Sequence, residues 1–490
     1  MKMEKTEVII EEVKKQMLLA GPLIAANLLL FLLQVISVMV VGRLGELALS
    51  GAAMAISFAA VTGFSMLIGM GCTLEALCGQ AFGAKQYNML GVQLQKAMLV
   101  LTISCIPVAF LWFFTEKILI FFLQDPEISK KAGLYARWMV PSLFAYGLAQ
   151  CQIRFLQAQN IVIPMMLSSG VTVLLHALTS WVLVYKTSLG YVGAALSISI
   201  FYWFTVMLLA LFIKFSPACK RTWTGFSKDA LHGTTSFVKL AIPSAVMICL
   251  EYWSFEAVVI LSGLLANPKL ETSAMSICLN TCSMLYMITF SLGAAISTRV
   301  SNELGAANPG AAKLAIFITL FIATAEGLLV GTATTLLRNI LGHAFSKEKE
   351  VIDYVASLMP FIAAVHFIDA YQCVLNGDSR KKTPLQFFYF YQLIVQCEAT
   401  EFMNHAGIVR GCGWQKKCVI INLGSYYVVG LPMAILLAFK LDMGGKGLWI
   451  GIICALSAQV LFLSILSINN NWETEVSDFN MQILIKLFFN

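Results

Sequence analysis

The sequence predicts an all-α, polytopic membrane protein of about twelve transmembrane helices, arranged as two pseudo-symmetric six-helix lobes. Three observations carry this expectation. The 490 residues are 59% hydrophobic and only 12% charged, with a mean hydropathy of +0.80, whereas ordinary soluble domains are about a quarter charged. Apolar stretches long enough to cross a bilayer core, about 20 residues, recur from end to end. The landmarks of the first half return in the second half at a nearly constant offset. Long continuous runs favour helices over a barrel, whose strands show short alternating segments.

Taken in order, residues 1–16 (MKMEKTEVIIEEVKKQ) mix acids and bases and form a cytoplasmic N-terminal segment. They do not read as a cleavable signal peptide, so the first helix is expected to be retained. An N-terminal lobe, 17–215, follows with spans at 17–41, 49–73, 97–123, 133–157, 161–185 and 191–215. The polar stretch 216–236 is an inter-lobe linker. A C-terminal lobe, 237–468, has spans at 237–265, 272–298, 312–337, 351–376, 418–440 and 446–468. Lys14, Lys15, Lys85, Lys96, Lys220, Arg221, Lys416 and Lys417 fall on one set of short connections. That bias places the N-terminus, the linker and the chain end in the cytoplasm.

The repeat supports the two lobes. Pro22 and Pro243 are offset by 221, Gly71 and Gly293 by 222, and Tyr135 and Tyr354 by 219. Six helices per lobe is an even number, so both lobes share one orientation and an axis along the membrane normal relates them, with a substrate site between. Near the end the offset jumps: Gly190–Gly193 matches Gly444–Gly447 at 254, against 219 earlier. The extra residues point to an insertion at about 378–407, where Pro384 and the cluster Arg380, Lys381 and Lys382 discourage a membrane helix. The tail, 469–490, ends in SDFNMQILIKLFFN, which is unlike the basic tail usual in the family that the motifs below resemble.

One span stands out. Leu240–Leu265, LAIPSAVMICLEYWSFEAVVILSGLL, is long enough to cross the bilayer yet carries Glu251 and Glu256. A carboxylate at membrane depth costs several kcal/mol unless paired, protonated or facing water, so it marks a functional site by default. The two are five positions apart, which at roughly 100° per residue sets them about 140° apart. They therefore face different surroundings, one a cavity and the other a neighbouring helix or loop.

These residues, together with LEALCGQAFGAKQY at Leu74–Tyr87, NPKLETS at Asn267–Ser273, ISTRVSNELGAANP at Ile296–Pro309, VRGCGWQ at Val409–Gln415 and NLGSYY at Asn422–Tyr427, resemble the multidrug and toxic compound extrusion (MATE) family, in its plant branch. The resemblance runs from about residue 12 to 475. It implies two six-helix lobes and cation-driven efflux of small organic compounds, with protons as the coupling ion. It also implies residence in the plasma membrane or the vacuolar membrane. Glu256 resembles the seventh-helix acid of eukaryotic relatives that exchanges protons, with Glu251 in the same motif. Asp369 resembles its carboxylate partner, and His366 lies three residues earlier on the same helical face. The aspartate that prokaryotic relatives carry in the first helix is matched here by Ser37, so coupling falls to the C-terminal lobe. Tyr252, Trp253, Gln34 and His366 are candidate cavity residues. Glu75 and Gln80 in one lobe, and Arg299 and Glu303 in the other, are candidate gate or structural contacts near lobe-symmetric positions.

Other functions find less support. There is no GxxxxGK[ST] sequence for ATP. Thirteen cysteines show no CxxC spacing, and Cys278 with Cys282 reads as a helix contact. No metal, cofactor, nucleic acid or enzymatic activity is expected, and the chain is expected to be a monomer in the bilayer. Two alternatives remain. Removing 378–407 restores the family pattern, which suits an impaired splice or gene-model variant. A lipid-linked oligosaccharide flippase of the wider superfamily would want a more basic cavity.

Overall fold

Proline and glycine set where the helices of this chain begin, bend and cross. The computed structural model describes residues 2–122, 124–345, 348–372 and 415–469. The 378–407 insertion and the tail from residue 470 lie outside the described residues, as do the first residues of the VRGCGWQ motif.

Eleven helices are long and apolar enough to cross a membrane. A further one, α6, Pro126–Ala158, is long enough but carries Arg137, Gln150, Gln152, Arg154 and Gln157. Together they give the expected twelve among the described residues. Local chemistry explains several starts. Asp125 accepts the amides of Glu127 and Ile128 at 2.9 and 3.0 Å, with Pro126 in the first turn of α6. Asn308 does the same for Ala311 at 3.2 Å, ahead of Pro309. Pro22 and Pro243 lie inside helices, as do Pro141 and Pro360. Each pair occupies repeat-equivalent positions, and interior prolines are tolerated where neighbouring helices re-satisfy the freed carbonyls.

The helices group into two compact units, one of Gly21–Cys249 and one of Met1–Ala20 with Leu250–Asn490. The divisions fall inside two long helices, α1 (Lys2–Gly42) and the helix Thr234–Ser262, whereas the sequence reading sets them at the polar segments 1–16 and 216–236.

The N-terminal unit packs α2 (Glu46–Ala59), α3 (Ser65–Gly83), α4 (Tyr87–Phe113), a short α5 (Thr115–Phe121) and α8 (Tyr191–Phe215) around α6, with α7 (Ile163–Tyr185) against α8. Between α2 and α3 the helix widens to i→i+5 bonding over Ala60–Phe64. Thr62 there donates to the Phe58 carbonyl at 2.6 Å and accepts the Trp112 indole N–H at 2.9 Å. The linker is docked on this unit. Gln95 donates to the Gly225 carbonyl and accepts from the Ser227 amide, both at 2.9 Å. A Cβ on Gly91 would stand 2.6 Å from the Thr222 carbonyl oxygen.

The C-terminal unit is built from the second half of α9 (Thr234–Ser262), α10 (Pro268–Gly305), α11 (Pro309–Leu336), a short α12 (Arg338–Phe345) and α13 (Lys349–Gln372). After the undescribed stretch come α14 (Gln415–Asn422), α15 (Leu431–Ile435) and α16 (Gly444–Asn469), with π-helical turns at Leu423–Gly430 and Leu436–Lys440. Its core includes Met275, Cys278, Cys282, Leu358, Ile362, Trp449 and Leu456. Glu271 closes one end: its carboxylate accepts the Tyr354 hydroxyl at 2.8 Å and the Gly445 amide at 3.2 Å. The first turns of α1 belong to this unit. Glu12 pairs with Arg299, and Gln16 hydrogen-bonds Thr319 and the Ala315 carbonyl.

The repeat persists at the level of backbone contact. A Cβ on Gly193 would lie 2.7 Å from the Leu183 carbonyl carbon, and one on Gly447 would lie 2.7 Å from that of Leu437. Both glycines and both leucines are offset by 254. Small residues of this kind let membrane helices approach closely.

Candidate coupling site

The motif LEYWSFE lies wholly within α9. Its face positions differ sharply. Glu251 is 2% exposed, whereas Glu256, five residues on, is half-buried. The backbone around them is tied down on the buried side. Ser254 donates to the Glu251 carbonyl at 2.8 Å, and the Tyr427 hydroxyl donates to the Leu250 carbonyl at 3.1 Å. Tyr252 is half-buried and Trp253 exposed.

The neighbouring helices of the same unit add an acid that the sequence reading passed over. Glu326, in α11, meets His366 of α13, with Nε2 2.9 Å from Oε1. His366 is almost fully buried, and Gly331 lets α11 come up to Ala363 one turn away. Neither the other imidazole nitrogen, Nδ1, nor the other carboxylate oxygen, Oε2, has a hydrogen-bond partner among the described residues. His366 therefore meets a carboxylate on another helix. Asp369 lies in α13 three residues beyond it, but its side chain is outside the described residues. The signal for Glu326 was present in the sequence: it is a lone acid in IATAEGLLV, within a membrane-length helix. Its partner is 40 residues away, a separation that no local spacing rule reads.

The gate candidates form two separate ion-pair groups. In the C-terminal unit Arg299 holds Glu12 through Nε and Nη2, at 3.0 and 2.8 Å, and also reaches Glu303 at 2.8 Å. In the N-terminal unit Glu75 pairs with Arg154 at 2.9 Å, both deeply buried, and Arg154 also donates to Gln157. Gln80 is half-buried near the end of α3, and Gln34 is exposed on α1. These two lie in the N-terminal unit, whereas Glu251, Glu256 and His366 lie in the C-terminal one.

The N-terminal unit has its own buried polar cluster. Ser37 of α1 is 2.9 Å from Nε2 of His176 in α7, and Ser180 is 3.2 Å from the same nitrogen. The Ser197 carbonyl of α8 is 3.4 Å from Nδ1, and the Ser180 and Ser197 hydroxyls are 2.7 Å apart. Every partner of this imidazole is neutral, unlike that of His366.

Comparison with known proteins agrees with this architecture. The MatE family model matches residues 22–182 and 243–385. The two matched blocks start at Pro22 and Pro243, the first landmarks of the repeat. DETOXIFICATION 16 of Arabidopsis thaliana is 55% identical over 95% of this chain and 90% of its own length. DETOXIFICATION 17 of the same plant is 52% identical over 95% of this chain and 91% of its own. The crystal structure of the eukaryotic MATE transporter AtDTX14 superposes with a TM-score of 0.88 at 41% identity, covering 97% of this chain and all of that one. The Vibrio cholerae MATE transporter VcmN, in its bent form, shares the fold at a TM-score of 0.75 and 16% identity, over 97% of this chain and 99% of its own. The chain is an integral, multi-pass membrane protein and belongs to the MatE family of multidrug and toxic compound extrusion transporters.

Proposed function

We propose that this transporter is an antiporter that exports small organic compounds in exchange for protons, by alternating access, with Glu256 carrying the coupling proton. The observation that bears most weight is the pair of acids on α9. A membrane-length helix keeps Glu251 buried and Glu256 half-buried, an arrangement costly enough to need a use. Glu256, partly open, is the one that protons and substrate can reach. Proton binding from the acidic side neutralises it and releases substrate. Proton loss to the cytoplasm restores the charged, substrate-accepting form. Competition between proton and substrate for one state of the carrier is sufficient for antiport. Asp369 shares this work, and Glu251 holds the helix in place.

The test is substrate flux in proteoliposomes against an imposed pH gradient, using a panel of alkaloids, flavonoid conjugates and organic cations. Glu256→Gln removes the titration and nearly preserves shape. It is expected to abolish gradient-driven flux with membrane insertion retained. Asp369→Asn should weaken flux strongly and Glu251→Gln mildly. Wild-type, pH-dependent flux in Glu256→Gln would remove this residue from the mechanism.

A further inference from the structure

The acids of the LEYWSFE motif share their unit with a carboxylate–imidazole pair that has no part in the exchange at Glu256. Glu326 and His366 sit on α11 and α13, which pack along their lengths. Contact at 2.9 Å between Oε1 and Nε2 needs a proton between the two atoms. With Glu326 ionised it is an acceptor only, so Nε2 carries that proton and the second nitrogen, Nδ1, holds the free lone pair. Nδ1 is buried and has no hydrogen-bond partner among the described residues. The carboxylate thus fixes the tautomer, as an outer partner does for a functional histidine.

Other titratable groups lie on the elements packed against α13, among them Arg338 and His343 on α12. On α10 and the first turns of α1, Arg299 is engaged with Glu12 and Glu303, and Glu271 with Tyr354. The titratable groups that α10 adds to the shared core with α13 are Cys278, Cys282 and Tyr286. Cys454 is the titratable group at the middle of α16. On α13 itself, Asp369 follows one turn after His366.

We propose that Glu326 and His366 are a proton-binding pair of the carrier, in which Glu326 is the positioning residue and Nδ1 of His366 takes up the proton. The balance is simple. One proton adds to the Nδ1 lone pair, and the pair goes from a net charge of −1 to zero. Its loss on the opposite side regenerates the lone pair, with no bond between heavy atoms made or broken. The inference rests on the proton-antiport reading and adds to it a second titrating centre. Glu326 acts on the pH response through the imidazole rather than by touching substrate.

Two measurements test it, on the full-length chain. The first is independent of transport. Histidine is labelled with nitrogen-15 in protein held in lipid nanodiscs, and the imidazole signals are followed with pH. The chain has five histidines, and the signal lost in His366→Gln identifies the one in question. The expected result is an Nε2–H tautomer whose titration moves by about one pH unit or more in Glu326→Gln. An unmoved titration overturns the proposal. The second is flux of ethidium, used as a fluorescent probe, as a function of pH. Glu326→Gln should displace the pH profile with little change in KM, and Glu326→Asp should restore part of it. His366→Gln should remove that part of the pH dependence altogether, and the double variant should be no worse than His366→Gln alone. Should Glu326→Gln fail to fold, His366→Gln carries the same comparison. A profile of wild-type shape with uniformly lower flux overturns the proposal. A wild type whose flux ignores the pH gradient instead refutes the antiport reading, and it does so before any variant is compared.

Discussion

The crossing of α7 with α8 and the crossing of α15 with α16 occupy equivalent places in the two halves of the repeat, yet they are made of different material. The offset of 254 that relates Leu183 to Leu437 and Gly193 to Gly447 also relates His176 to Gly430, Ser180 to Ala434 and Ser197 to Gly451. In the N-terminal unit these positions hold a hydrogen-bonded imidazole and two hydroxyls. In the C-terminal unit they hold glycines and an alanine so close that a Cβ on Gly430 would strike Ala455 and one on Gly451 would strike Ala434. At these positions one crossing carries hydrogen bonds and the other close backbone contact, while the second pair has its buried hydrogen bonds elsewhere along its length, from Tyr426 to Gln459 and from Gln459 to Asn422. The repeat thus specifies where helices touch and leaves open what holds them. The C-terminal unit places its buried polar groups at other positions: at Asn422, Tyr426 and Gln459, at Glu251, and at Glu326 with His366.

Substitutions at four positions break or sharpen this contrast. The largest effect belongs to Gly451→Val. The added side chain meets the backbone of Ala434, which cannot rotate away, so overpacking should cost about 3 kcal/mol. Thermal unfolding in detergent should show it directly, and Ser197→Val at the equivalent position should cost much less. An equal loss at both sites would mean that the two crossings are held alike. Next comes Ser37→Val, which takes the closest partner from His176 and should cost about 1–2 kcal/mol. Its companion Ser37→Asp places a carboxylate opposite a buried imidazole, so the stability of that variant should vary between about pH 5 and 8, where histidine titrates. If the wild type already shows that variation to the same extent, the neutral description of the N-terminal cluster is wrong. The smallest effect is expected from Ser180→Ala, which makes the N-terminal crossing resemble Ala434. His176 keeps Ser37 and the Ser197 carbonyl, so the loss should stay at or below about 1 kcal/mol.

Much of the architecture was legible in the sequence because lipid imposes a length and the repeat imposes a spacing. Span lengths and the equivalence of Pro22 with Pro243 need no tertiary information. The site was legible only in part. Glu251 and Glu256 stand out because a carboxylate in an apolar run is visible by itself. Glu326 has the same property and was passed over, since its motif carries no aromatic or acidic neighbours to draw attention. The pairing with His366 lies beyond any sequence pattern, because it depends on the packing of α11 on α13. The engagement of Glu12 with Arg299 was hidden for the same reason. A charged N-terminal stretch reads as a solvated segment until a distant arginine supplies its partner.

That last contact sets a schedule for assembly. Gln16 leaves the ribosome 303 residues ahead of Thr319, with which it hydrogen-bonds. At about 5–20 residues per second the delay is roughly 15–60 s. Through that interval the first turns of α1 exist without the helices that complete their surroundings. The segment made first therefore waits for the half of the protein made last, and a chain severed within 216–236 would deprive the downstream piece of Glu12 and Gln16. Co-expressing the two pieces should restore a stable protein where the downstream piece alone does not.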